Sequence, residues 1–184
     1  MASAKQQTRT RQTREQSRRR IVEATSELVR ERSYGELNVR EIMARAGLER
    51  TIFYRHFDDL GDLLLQIVGE AITELYEAQV ALAAVRVGPD PDAVRESIAV
   101  TVAIYSRHGP LLRALSEAAA ADPLVEARQA ELRQRFDGLV EEMIHRGIAD
   151  GASPPPDPAE SARALNRLIE AYLLESFGRE PRVD

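Results

Sequence analysis

Residues 37–57, "LNVREIMARAGLERTIFYRHF", decide how the chain is read. Asn38 followed by Glu41 has the spacing of a capping box, in which Asn38 accepts from the third helical amide and Glu41 reaches back to the cap. A short helix over Val39–Ala46 is therefore predicted. Gly47 stops it, because glycine adopts the left-handed conformation that ends helices without a steric cost. A further helix follows after only Leu48 and Glu49 and runs toward Phe57. Ala44 and Gly47 are small enough to let these two helices approach, and Ile42, Leu48, Ile52, Phe53 and Phe57 can fill the space between them.

Two short helices joined by a glycine-containing turn make a helix-turn-helix, whose second member enters the DNA major groove. By the three-and-four rule, Arg50, Thr51, Tyr54 and Arg55 lie toward one broad face, away from the apolar positions. These side chains are rich in donors, and DNA offers the acceptors they lack. Arginine suits a two-point contact with guanine, threonine a hydroxyl or methyl contact, and Tyr54 and His56 can donate to phosphate.

Outward from this motif the pattern is helical almost everywhere, with no run of alternating β-branched residues, so the fold is expected to be all-α. Ile21, Val22, Thr25, Leu28 and Val29 form a stripe that predicts a first helix over residues 17–32. Asp58-Asp59 can cap a long fourth helix carrying Leu64, Ile67, Val68, Ala71, Leu75, Ala78 and Leu82. Gly88-Pro89-Asp90-Pro91, Gly109-Pro110, Asp122-Pro123 and the proline-rich run 151–156 read as breaks. They bracket helices over 91–107, 110–121, 124–149 and 158–177.

The 184 residues suffice for a sizeable core, and 43% hydrophobic with 30% charged residues argues for a folded chain and against a membrane span. No apolar signal stretch opens the sequence, and the absence of cysteine fits a cytoplasmic, reducing location and removes thiolate chemistry. The net charge of −5 conceals an asymmetry: residues 1–60 hold 13 Lys+Arg against 9 Asp+Glu, a balance of +4, so the remainder carries −9. Lys5, Arg9, Arg11 and Arg14 precede Arg18-Arg19-Arg20, and the basic end is where a polyanion would dock.

From about residue 20 to 65, through "VREIMARAGLERTIFYRHFDDLGDLL", the chain resembles the DNA-binding head of the TetR family of bacterial transcription regulators. The resemblance implies that Tyr54 and His56 hold the DNA backbone and that Val39, Arg40, Arg50 and Thr51 lie at the DNA, with Arg55 beside them and Arg18 and Arg19 contributed by the basic end. It divides the chain into a basic flexible arm (1–17), a helix-turn-helix domain (18–58) and a helical effector-binding and dimerisation body (59–184). Two positions depart from the family pattern: Glu49 stands where serine is usual and Leu60 where lysine is usual. Both weaken the attraction of the head for phosphate, and the arginine-rich arm is expected to compensate.

The segment "ARALNRLIEAYLLESFG", residues 162–178, is similar to the corresponding helix of the ethionamide-resistance-repressor subgroup. This likeness implies an apolar tunnel for a small hydrophobic or amphipathic effector, with Tyr105, Leu112, Phe136, Val140, Met143, Asn166, Ile169, Glu170 and Leu173 as lining candidates. Asn166 is singled out because an amide among Leu165, Leu168 and Ile169 needs a buried partner or a ligand. The family dimerises through its last two helices. Here the usual final helix is expected to be absent, so that residues 159–177 carry more of a homodimer interface.

The reading is thus of a DNA-binding regulator, most simply a repressor, with double-stranded operator DNA and an effector as partners and no cofactor. An enzyme finds little support: His56, His108 and His145 are far apart and no metal-ligand spacing or phosphate-cradling glycine motif occurs. A helical module that binds a protein partner is the alternative, and it would differ in a weak dependence on salt. A membrane-surface anchor would need large apolar residues that positions 1–20 lack.

Overall fold

The computed structural model describes residues 2–84 and 91–179, with the side chains of 2–10, 82–84, 91, 93, 94 and 97 excepted. The described elements are all helical: α1 (Ala2–Glu31), a 3-10 turn (Tyr34–Glu36), α2 (Val39–Ala46), α3 (Arg50–Phe53), α4 (Leu60–Ala84), α5 (Pro91–Ala121), α6 (Pro123–Ala149) and α7 (Pro158–Phe177). The break read at Gly88-Pro89-Asp90, the side chain of Leu82 and those of Lys5 and Arg9 lie outside the described residues.

Local signals account for most boundaries. Asn38 Oδ1 accepts from the Glu41 amide at 3.0 Å, and Gly47 sits at φ 62°, where a side chain would be strained. The reciprocal half of the expected box does not form. The Glu41 carboxylate turns instead to Arg32 at 2.9 Å and ties α2 to the end of α1, since an arginine is a stronger partner than a solvated amide. Asp59 caps α4 through the Asp62 amide at 2.8 Å, and Asp62 accepts from the Asp58 amide at 3.0 Å. Asp122 and Asp157 cap α6 and α7, each followed by a proline at the first helical position, where the missing N–H removes no bond.

Three expectations are corrected. First, α1 begins at Ala2, so the segment read as a flexible arm continues the first helix, as its Lys, Arg and Gln content tolerates. Second, Gly109-Pro110 does not end a helix. Proline there forfeits one helical hydrogen bond, a cost of about 3 kcal/mol, but α5 runs through because Ile104, Tyr105, Leu111, Ala114, Leu115 and Ala118 bury a continuous face. Gly109 is needed at that point: a Cβ would lie 2.1 Å from the Phe177 carbonyl oxygen, so α7 could not approach. Third, α3 has only four residues, which puts Tyr54 at its C-terminal cap and Arg55 and His56 in the following turn.

One core spans head and body. Ile21, Leu28, Val29, Ile42, Met43, Phe53, Phe57, Leu63, Leu64 and Val68 of the head and stem are contiguous with Leu111, Ala114, Leu115, Ala118 and Val125 of α5 and α6. The two parts are also fastened by polar groups. Arg113 of α5, with only 12% of its side chain exposed, donates to Val29 O (2.8 Å) and Arg32 O (3.0 Å) at the end of α1, to Gly178 O (2.7 Å) after α7, and to Glu117 (2.5 Å). Glu117 in turn accepts from the Tyr34 amide at 2.7 Å. A single guanidinium therefore satisfies carbonyls at the ends of two helices that its own helix joins.

Candidate nucleic-acid interface and body cavity

Phe53 and Phe57 are fully buried with ring centroids 5.5 Å apart, and this anchor turns the intervening residues outward. Arg50, Thr51, Tyr54 and Arg55 are exposed as expected, Tyr54 by 52%. Tyr54 is held rather than loose: its ring meets Phe53 edge-on at 5.3 Å, and the Arg50 guanidinium lies 5.8 Å from its centroid and donates to its hydroxyl at 3.1 Å. A short reading element so packed loses little freedom on binding.

His56 is half-buried beside this quartet. Burial, and then the charges of Arg14, Arg18 and Arg55, hold its imidazole below the ordinary histidine range, against an opposing effect of Glu15. It is thus a neutral donor at pH 7. Arg40 is exposed at the start of α2, while Val39 is half-buried and packs against the head core, so any contact it makes with DNA is by its backbone or one edge. Arg18 stacks over Phe57 at 5.8 Å and reaches Gln66 at 3.3 Å; Arg19 pairs loosely with Glu23 at 3.5 Å. Sequence reading placed Arg14 only in the basic arm and not at the reading turn, where its guanidinium donates to the Arg55 carbonyl at 3.1 Å. No local motif marks it, because only the continuation of α1 carries it to the reading turn.

The electrostatics are sorted by face. Arg45 is bound to Glu27 (3.2 Å) and Glu31 (3.0 Å) of α1, and Arg32 to Glu41, so three acids of the head are neutralised on the side of α2 that meets α1. Arg14, Arg50 and Arg55 remain at the exposed turn. Glu49 is the acid that directly precedes Arg50. It occupies the cap position of α3 and its side chain makes no capping hydrogen bond, so helix start and phosphate attraction both lack the help a serine would give.

A partly open cavity of ≈ 100 Å³ lies between α4, α5, α6 and α7 of the body. Of the lining candidates, Tyr105, Leu112, Phe136, Asn166, Ile169 and Glu170 border it. Val140, Met143 and Leu173 do not: the first two lie farther along α6, and Leu173 is 5% exposed within the packing of α7. Asn166 finds its partner in Asp137 at 2.8 Å, and Arg167 meets the same carboxylate at 3.3 Å. Glu170 sits 3.4 Å from Arg133. Gln129 and Arg133 of α6 escaped the sequence reading, since one glutamine in a charged helix looks like surface; here Gln129 is 7% exposed. Ile72, Leu132 and Phe136 form a wall shared with a second groove of ≈ 300 Å³ between α4 and α6, where Tyr76 meets Phe136 edge-on at 5.6 Å.

An N-terminal helix-turn-helix with an outward, cation-flanked reading turn, rooted in a helical body that holds a cavity, defines a DNA-binding transcription regulator. Residues 21–67 match the family model for bacterial regulatory proteins of the tetR family. Solved structures share the fold over most of their length. The regulator PfmR from Thermus thermophilus is 21% identical with a TM-score of 0.70, covering 85% of this chain and 85% of its own. NalD, the secondary repressor of the MexAB-OprM multidrug efflux pump in Pseudomonas aeruginosa, is 21% identical with a TM-score of 0.65, covering 93% and 89%. SmeT, the repressor of the Stenotrophomonas maltophilia efflux pump SmeDEF, is 18% identical with a TM-score of 0.64, covering 85% and 76%. Among the described residues no helix is long and apolar enough to cross a membrane.

Proposed function

We propose that the chain is a cytoplasmic repressor that holds a two-fold operator as a homodimer and releases it when a small apolar or amphipathic effector enters the body cavity. It acts by binding rather than by chemistry. The observation that carries this reading is the exposed quartet Arg50, Thr51, Tyr54 and Arg55 on one turn, with Arg14 and the neutral His56 beside it and Arg40 exposed at the start of α2. Arg50 and Thr51 would read base edges, and Tyr54 and His56 would hold phosphate.

The homodimer rests on α7. Leu165, Leu168, Ile169 and Tyr172 are 46%, 67%, 39% and 66% exposed at spacings of three and four, a single apolar stripe on the last described helix. A second copy of the same stripe would cover it with the symmetry that two half-sites require. For the effector, SmeT, a protein of this fold, forms a complex with triclosan. The cavity between α4 and α7 is the space this chain offers for such a ligand. An occupant acts only through unequal affinity for two head spacings.

The test is selection of genomic fragments on the purified chain, followed by binding of the selected duplex across a salt series. A palindromic sequence with a steep loss of affinity as salt rises is expected. Binding indifferent to sequence, or a flat salt dependence, would overturn the reading and favour the protein-partner module.

A further inference from the structure

Resting on the reading of the cavity as an effector site, we infer that the cavity selects a neutral ligand whose polar end both donates and accepts a hydrogen bond, such as a phenolic or alcoholic hydroxyl on a small apolar body. Two atoms set this requirement. Among the described residues no hydrogen-bond partner reaches Gln129 Oε1 or Arg133 Nε, although both are fully shielded from solvent. Arg133 Nε lies 3.4 Å from Glu170, close enough for charge attraction but without hydrogen-bond alignment. Gln129 and Arg133 stand four residues apart on α6 and so share a face, the one that borders the cavity.

An unmatched buried acceptor and an unmatched buried donor are each costly. A hydroxyl answers both at once, giving its proton to Gln129 Oε1 and accepting from Arg133 Nε. The charges around the cavity argue for neutrality: Arg133 and Arg167 face Glu170 and Asp137, two of each sign. An added carboxylate would meet Glu170 and an added ammonium would meet Arg133, each without a counter-charge of its own. Tyr105, on the facing helix, stays a phenol because burial pushes its ionisation far up, so it adds no charge. The remaining wall of Ile72, Leu75, Leu112 and Leu115 suits an apolar body. The size is bounded as well: a cavity of about 150 Å³ holds benzene, so ≈ 100 Å³ takes a single ring only with a small shift, and the Phe136 wall toward the neighbouring groove gives that room.

The experiment is calorimetric titration of the full chain with phenol, toluene, benzoate and benzylamine, repeated on Gln129→Met. Phenol is expected to bind at least about tenfold more tightly than toluene, because a site built around buried polar atoms rejects the analogue that leaves them unpaired. Both charged probes should bind more weakly than phenol. Gln129→Met should bring phenol and toluene level and raise the unfolding midpoint of the ligand-free protein, since an unmatched buried acceptor is removed. Toluene binding as tightly as phenol to the native chain, a charged probe binding best, or no binding by any probe would each overturn the inference. The same probes added to the complex with the selected operator separate this inference from the broader reading. Phenol selectivity that depends on Gln129 but leaves DNA affinity unchanged would uphold the pocket chemistry and refute the effector role.

Discussion

Replacing Arg113 by methionine keeps the aliphatic stem and removes every donor from the junction of head and body. The guanidinium reaches three carbonyls and one carboxylate at 2.5–3.0 Å, and 12% of the side chain is exposed. Hydrogen bonds from a charged group contribute roughly 1.5–3 kcal/mol each, but the cost of burying the guanidinium returns much of that sum. Removing one member of a buried pair typically costs about 3–5 kcal/mol; Glu117 keeps 30% exposure and its bond from the Tyr34 amide, which argues for the lower end. A loss of about 3 kcal/mol is therefore expected, or roughly 6–12 °C in midpoint for a chain of this size. Lysine should recover less than half, because one ammonium cannot span carbonyls on both sides of the helix. Urea unfolding followed by circular dichroism measures both variants. A methionine variant within about 0.5 kcal/mol of the native protein, which is the range of ordinary surface substitutions, or a lysine variant of full stability, would refute the clasp.

Four further outcomes follow from the interface. Glu49→Ser should tighten operator binding several-fold and stabilise the head by about 1 kcal/mol, since it supplies the missing cap and removes a charge near phosphate; fluorescence anisotropy and thermal unfolding check the two effects. The native state disfavours protonated His56, chiefly through burial, so the unfolded chain takes up the proton first as pH falls below about 6.5. Stability relative to His56→Gln should accordingly fall on acidification through that window and level off once the native histidine also titrates; a flat difference across pH would sink this. Deleting residues 1–17 should weaken DNA binding and reduce its salt slope, because Arg11 and Arg14 go with the segment. Leu168→Glu, at a position 67% exposed, should leave the fold intact, give a monomer in sedimentation and abolish tight operator binding; an unchanged association state would refute the α7 interface.

The head was legible because its signals are local. Asn38, Gly47 and Asp59 act on backbone groups within a few residues, and Phe53 and Phe57 mark the inward face by their spacing alone. Gly109-Pro110 misled for the same reason: the local preference for a break is real, but burial along α5 and the crossing with α7 outweigh it, and neither is visible in a short window. The cavity was half legible. Asn166 betrayed itself through its apolar neighbours, while its partner Asp137 lies 29 residues away. Gln129 and Arg113 gave no warning, because a polar residue in a charged helix is ordinarily solvated and only the tertiary arrangement buries these two.

The brevity of α3 bears on how such a protein finds its address in a genome. One helical turn of four residues inspects only a few base pairs, whereas a genome presents on the order of 10⁶–10⁹ competing positions. One head alone does not carry enough information to choose among them. In the proposed homodimer the address would be written mainly in the coincidence of two short words at a fixed distance, and that distance would be kept by the body rather than by any residue that reads DNA. A substitution deep among α5, α6 and α7 that shifts the spacing could therefore make the operator illegible while every reading side chain stays intact.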